Sequence, residues 1–141
     1  MKNLIDENQV ELQCIDWLKE LGFNYVNGLD LKIDKPDSER VSLKNVILNS
    51  TLKKSLQKIN PKVPDKIINN AIFQINNPSI PDLLTTNRET HKWFTKGIKL
   101  SYLDNDEEIG INLKIIDFNN IENNNKLIIN QFEVKGEKRL R

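Results

Sequence analysis

Cysteine and histidine are nearly missing from this chain of 141 residues, and each scarcity removes a class of chemistry. Cys14 is the only cysteine, which excludes an internal disulfide and any cysteine-rich zinc site. His91 is the only histidine, so a histidine-based metal site or a triad drawn wholly from this chain is not expected. The glycines at 22, 28, 97, 110 and 136 are isolated, and no GxxxxGK[ST] phosphate loop can be written from them. No apolar run approaches the roughly 20 residues that a membrane span needs. The start is polar and on balance acidic, where a secretory signal needs a basic start and an apolar core. The expectation is a cytoplasmic protein with no membrane partner.

What is present describes an ordinary globular chain. Hydrophobic residues make up 38%, charged residues 29%, and the net charge is +1, a balance that neither disorder nor a globally basic nucleic-acid binder would show. The length suits a single domain over 1–141 that can bury a core. Twenty asparagines, alongside abundant isoleucine and lysine, read as a biased codon pool and receive no functional weight. The even charge hides an asymmetry: residues 1–39 hold nine acids against four bases. Arg40 to Lys66 hold seven bases (Arg40, Lys44, Lys53, Lys54, Lys58, Lys62 and Lys66) against Asp65 alone. Two readings stay open for that segment, a face for nucleic acid or solvated lysines on a surface helix.

The first helix is expected from about Asp6 to Leu21, with Asp6 and Gln9 at capping-box spacing and Gly22 as its terminator. At 100° per residue, Val10, Cys14, Trp17, Leu18 and Leu21 share one arc with Ile15 at its edge, which predicts that this arc faces the core. Phe23 to Val26 reads as a short strand, Asn27-Gly28 as a turn, and Leu29 to Ser38 as an irregular loop. Ser42 is placed to cap a helix carrying Leu43, Val46, Ile47, Leu52, Leu56 and Ile59, broken at Asn49-Ser50 if anywhere and closed by Asn60-Pro61. Pro64 opens another helix to about Asn76, with Ile67, Ile68, Ala71, Ile72 and Ile75 as its buried stripe. A last helix runs from about Asp82 to Lys96. Three β-like runs follow, Gly97 to Leu103, Ile109 to Ile116 and Leu127 to Val134, and predict an antiparallel meander. In the last run Gln131 and Glu133 should point outward. The fold class is therefore α+β, with helices packed on a mostly antiparallel sheet.

Few residues signal chemistry. Glu11 falls at the margin of the apolar arc, and Glu7 within it, where an unpaired charge is costly. Either Glu11 pairs with a base or snorkels, or it reaches a polar cleft where a cation or a catalytic group waits. Asp117, at a strand end, is a candidate carboxylate or a turn residue. His91 has no nucleophile signalled near it and reads as an ordinary helix residue. Trp17 and Trp93 fit helix faces and read as core.

Six phrases in order carry a resemblance. They are Val10-Glu11 with Trp17 to Phe23, Arg40 to Leu43 with Val46 to Leu48, Ile59-Asn60-Pro61, Asn87-Arg88 with His91 and Gly97-Ile98, Ile116-Asp117-Phe118 with Asn125, and Asn130 to Val134 with Gly136. Together they span essentially the whole chain, which resembles the N-terminal region of the R subunit of type I restriction enzymes. The resemblance implies the opening part of a PD-(D/E)xK nuclease domain in a much longer subunit, which translocates DNA with ATP and cleaves it with Mg2+ as a type I site-specific deoxyribonuclease. It implies DNA and the methyltransferase (M) and specificity (S) subunits as partners. In the family's pattern the phrase at 130–136 is followed by Pro-Asp and then by a strand carrying Glu-x-Lys, whose acids bind Mg2+ and whose lysine helps to activate water. The chain ends at Arg141, so those ligands are expected beyond it, the nuclease domain is expected to be incomplete, and the stretch alone is expected to be inactive with nothing bound. Of the nuclease apparatus only Glu11 has a counterpart, as an accessory catalytic carboxylate. Lys53, Lys54, Lys58, Lys138 and Arg139 are the candidate DNA contacts. The alternative is a non-catalytic DNA- or subunit-binding module using Arg40 to Lys66.

Overall fold

The computed structural model describes residues 6–31, 33, 38–79 and 82–136, and backbone contacts divide the chain into two compact units, Met1–Val46 with Lys126–Arg141, and Ile47–Asn125. The α+β class holds: four α-helices and four strands are formed among the described residues.

In the first unit, helix α1 (Glu7–Glu20) starts and stops as its sequence dictates. The Asp6 carboxylate accepts from the Asn8 amide, and the Gln9 side chain accepts from the Asp6 amide in return. At the other end Gly22, at φ +87, lets its own N–H reach the Lys19 carbonyl and the Phe23 N–H reach the Leu18 carbonyl. That pair of bonds is a Schellman closure, and only a residue free of Cβ strain takes that φ without cost.

The buried face of α1 is not the predicted arc. Ile15 is buried, with Glu11 and Leu18 half-buried beside it, whereas Val10, Trp17 and Leu21 are half or more exposed and Cys14 is exposed. The inner stripe therefore runs along Glu11, Ile15 and Leu18. Most apolar side chains of α1 lie on the other arc, and periodicity alone weights every apolar residue alike. Trp17 is accordingly not core.

Strand β1 (Asn24–Asn27) pairs with strand β4 (Leu127–Asn130), and the pairing is parallel. The register sets Asn24 against Leu127 and Asn27 against Asn130. The third run of the expected meander thus leaves the hairpin and joins β1 instead. Parallel strands need a long crossover, and here everything between β1 and β4 supplies it, so sequence neighbourhood gave the wrong partner. Beyond β1 the Asn27 side chain accepts from the Leu29 amide and starts a single 3-10 turn, Gly28–Asp30.

Residues 42–48 are not helical, although their apolar spacing suggested it. The Ser42 amide donates to the Asn45 side chain and the Lys44 amide to the Ser42 hydroxyl, local bonds that compete with a helical ladder. Arg40 organises the segment. Its guanidinium, only 1% exposed, donates to the carbonyls of Asn45, Leu43 and Glu133 at 2.9, 3.1 and 2.8 Å, and it lies 4.1 Å from the centroid of the Phe132 ring.

The second unit is built from α2 (Asn49–Ile59), α3 (Asp65–Asn76), α4 (Leu83–Lys96) and the antiparallel hairpin of β2 (Ile98–Asp104) and β3 (Glu107–Leu113). Asn105 and Asp106, at φ 49 and 65, form its two-residue turn, a conformation that matches the twist of paired strands. The core joins Leu56 of α2, Ile67, Ile68 and Ala71 of α3, and Ile98, Leu100 and Leu113 of the hairpin. Each fully buried leucine or isoleucine contributes roughly 1.5–3 kcal/mol. Trp93 packs against this cluster from α4, as expected. Asn60 closes α2 and ties it to the exit of β3: its amide donates to the carbonyls of Leu56 and Lys114 while its oxygen accepts from the Lys114 amide. Among the described residues no helix is long and apolar enough to cross a membrane.

Candidate functional site

Glu11 stands on the second turn of α1, half-buried, and its carboxylate meets the end of β4. The Gln131 side-chain amide donates to both carboxylate oxygens, at 3.1 Å each, across 120 residues of sequence. The two side chains lie on an open cavity of about 620 Å³ lined by Asp6, Glu7, Asn8, Val10, Glu11 and Gln131. Three of those six residues are acidic and none is basic. The positive end of the α1 dipole offsets part of their repulsion, most directly for Asp6 and Glu7. Among the described residues Glu11 pairs with no base. A neutral side-chain amide holds it instead.

This cavity is not a complete metal centre. Among the described residues no group of three or more histidine, cysteine, aspartate or glutamate side chains could hold an ion. A literal Glu-x-Lys is spelled by Glu133-Val134-Lys135, but it lies past the last residue of β4, with Glu133 and Lys135 exposed.

The basic segment divides. Arg40 is interior to the first unit and its bonds go to backbone carbonyls, so it offers no surface to a phosphate. Lys53, Lys54 and Lys58 belong to α2 in the second unit, whose inner stripe is Leu52, Leu56 and Ile59. Lys53 sits 3.7 Å from Asp65, Lys58 donates to the Glu122 carbonyl, and Lys54 is exposed. Lys138 and Arg139 lie outside the described residues.

Asp117 is nearly buried, 8% exposed, and is a loop organiser. Its carboxylate accepts from the Asn123 side chain and from the amides of Asn119 and Asn120, and Asn124 bonds both its N–H and its carbonyl. The Asn123 amide, then the Asn120 N–H, hold its pKa below the ordinary aspartate range, against a smaller opposing push from burial. Such a group adds stability that is present above the unfolded-state value, about 3.9, and is lost as the pH falls through the lowered folded value. His91 is exposed on α4.

Gln131, Gly28 and Arg40 are the residues that reading for chemistry missed. Gln131 and Arg40 fall within the phrases that carried the resemblance and Gly28 in the predicted turn between two of them, but none is an acid, a histidine or a nucleophile, and the roles of Gln131 and Gly28 depend on a parallel pairing that was not foreseen.

The geometry joins a helix carboxylate to the end of a strand in a mixed α+β unit, and comparison with known proteins gives that arrangement a family. Residues 5–141 match the family described as the type I restriction enzyme R protein N terminus. The chain belongs to that family. It is 26% identical over 135 residues to the type I restriction enzyme HindI endonuclease subunit of Haemophilus influenzae, covering 96% of this chain and 13% of that protein. It is 31% identical over 132 residues to the putative type I restriction enzyme MjaIXP endonuclease subunit of Methanocaldococcus jannaschii, covering 94% of this chain and 12% of that protein. The chain thus spans about an eighth of the length of these curated relatives. No solved structure matches it.

Proposed function

We propose that this chain is the N-terminal part of the nuclease region of a type I restriction endonuclease subunit, and that Glu11 is its accessory catalytic carboxylate. In this reading both compact units serve one nuclease region. The whole subunit cleaves foreign DNA in the cytoplasm after ATP-driven translocation, assembled with methyltransferase and specificity subunits. Mg2+ and ATP belong to that whole subunit. The observation that carries the role of Glu11 is its carboxylate held by Gln131 at the end of β4. That bond holds the carboxylate beside the end of β4.

The test uses the full-length subunit in its assembled complex. Glu11→Gln keeps the size of the side chain and removes its charge. Cleavage of supercoiled DNA bearing a recognition site is expected to fall roughly 10–100-fold, the range for a group that supports a metal site from outside its ligand set. ATP hydrolysis and translocation should be unchanged. Cleavage at the normal rate would remove Glu11 from the mechanism.

A second role, DNA contact by α2, is favoured by Lys54 and Lys58 standing on the face opposite its buried stripe. Reversing both to glutamate should weaken DNA binding and lower its salt dependence. A salt slope equal to that of the unaltered complex would exclude the contact.

A further inference from the structure

Gln131 occupies a backbone conformation that glutamine seldom takes. Its φ is +50, in the left-handed region, immediately after the last residue of β4. Outside glycine, asparagine and aspartate that region carries a steric penalty, and residues persist in it only where their surroundings enforce it. Three features of β1 and its turn do the enforcing. The ladder fixes Asn27 opposite Asn130. The Tyr25 hydroxyl donates to the Asn130 side chain at 2.8 Å. Gly28 lies so close to the turn that a Cβ on it would meet the carbonyl oxygens of Asn130 and Gln131 at 2.5 Å each.

The outcome of these constraints is the symmetric donation of one amide to both oxygens of Glu11. A solvent-exposed bond of this kind at best offsets the conformational cost of reaching it, so stability alone does not explain the arrangement. Orientation does. A lysine or arginine in the same place would also fix the carboxylate but would cancel its charge, whereas an amide fixes it and leaves the charge available.

We propose that Gln131 is a positioning residue for Glu11, and that Tyr25 and Gly28 form the clamp that aims it. The proposal rests on the catalytic reading of Glu11. Gln131→Gly separates orientation from stability, because glycine relieves the left-handed strain while deleting the amide. In the full-length assembled complex it should melt at or above the temperature of the unaltered subunit and translocate normally, yet cleave roughly tenfold more slowly, as misplaced catalytic groups do. Adding Glu11→Gln to it should cause no further loss beyond Glu11→Gln alone, since the two act as a unit. The exchanged pair, Glu11→Gln with Gln131→Glu, rebuilds the amide–carboxylate bond with the charge at the other end. It should keep the melting temperature of the unaltered subunit but not its cleavage.

Cleavage restored by the exchanged pair would show a purely structural bond and overturn the proposal. Normal cleavage by Gln131→Gly with impaired cleavage by Glu11→Gln would overturn the positioning role while leaving Glu11 in place. Normal cleavage by Glu11→Gln would remove both.

Discussion

Replacing Arg40 by alanine is expected to destabilise the chain by about 3 kcal/mol, a large part of the 5–15 kcal/mol that a domain of this size has. The guanidinium is buried and its donors reach the carbonyls of Leu43, Asn45 and Glu133 while its plane covers Phe132. Truncation leaves those acceptors short of a donor, at about 1–3 kcal/mol for each that stays dry, and opens a void against the ring. Water entering the void recovers part of the loss, which keeps the total near the lower end. Lysine should rescue little, because one ammonium cannot reproduce a planar fork that serves three carbonyls and stacks on an aromatic face. Denaturant titration of the chain measures both variants, and a loss below about 1 kcal/mol for Arg40→Ala would show that the segment at 40–45 holds itself without the guanidinium. The functional consequence is downstream. Glu133 and Phe132 follow Gln131 directly, so the same side chain that shapes residues 40–45 also tethers the backbone leaving the Glu11 site.

Local rules were legible in the sequence and pairwise geometry was not. The capping box of Asp6 and Gln9, the Gly22 terminator and the buried stripe of α3 all depend on residues within one or two turns of each other, and all are present. The face of α1 depends on what packs against it, and a hydrophobic wheel cannot know that. The partner of β4 depends on a crossover through a whole second unit. Residues 42–48 look helical until Arg40 claims two of the local carbonyls. The candidate site is the mixed case. Glu11 stood out because an acid near an apolar arc is anomalous on a single helix. Gln131 could not be seen, since its value comes from a left-handed φ and from a strand pairing 105 residues away along the chain, where Tyr25 meets Asn130.

Gly28→Ala is expected to cost roughly 3 kcal/mol and to lower DNA cleavage by the full-length complex along with it, whereas Gly110→Ala should be neutral or slightly stabilising. The contrast isolates space as the cause. A Cβ at Gly28 would sit 2.5 Å from two backbone oxygens and 2.7 Å from the Gln131 carbonyl carbon, and backbone cannot swing aside as a flexible side chain can. A Cβ at Gly110, in the middle of β3, meets nothing within 4 Å, and alanine there narrows the unfolded ensemble without a clash. Relief of the clash at Gly28 requires β4 to slide or lift from β1, and either movement carries the Gln131 amide away from Glu11. Loss of stability and loss of cleavage should therefore appear together in Gly28→Ala, unlike Gln131→Gly, where cleavage falls while the fold is kept. Amide exchange across residues 127–130 supplies the structural readout, since weakened pairing with β1 speeds exchange there before the chain unfolds as a whole. Unchanged protection in Gly28→Ala, with stability at the unaltered level, would mean that the turn after β4 has room to spare and that the clamp is set elsewhere.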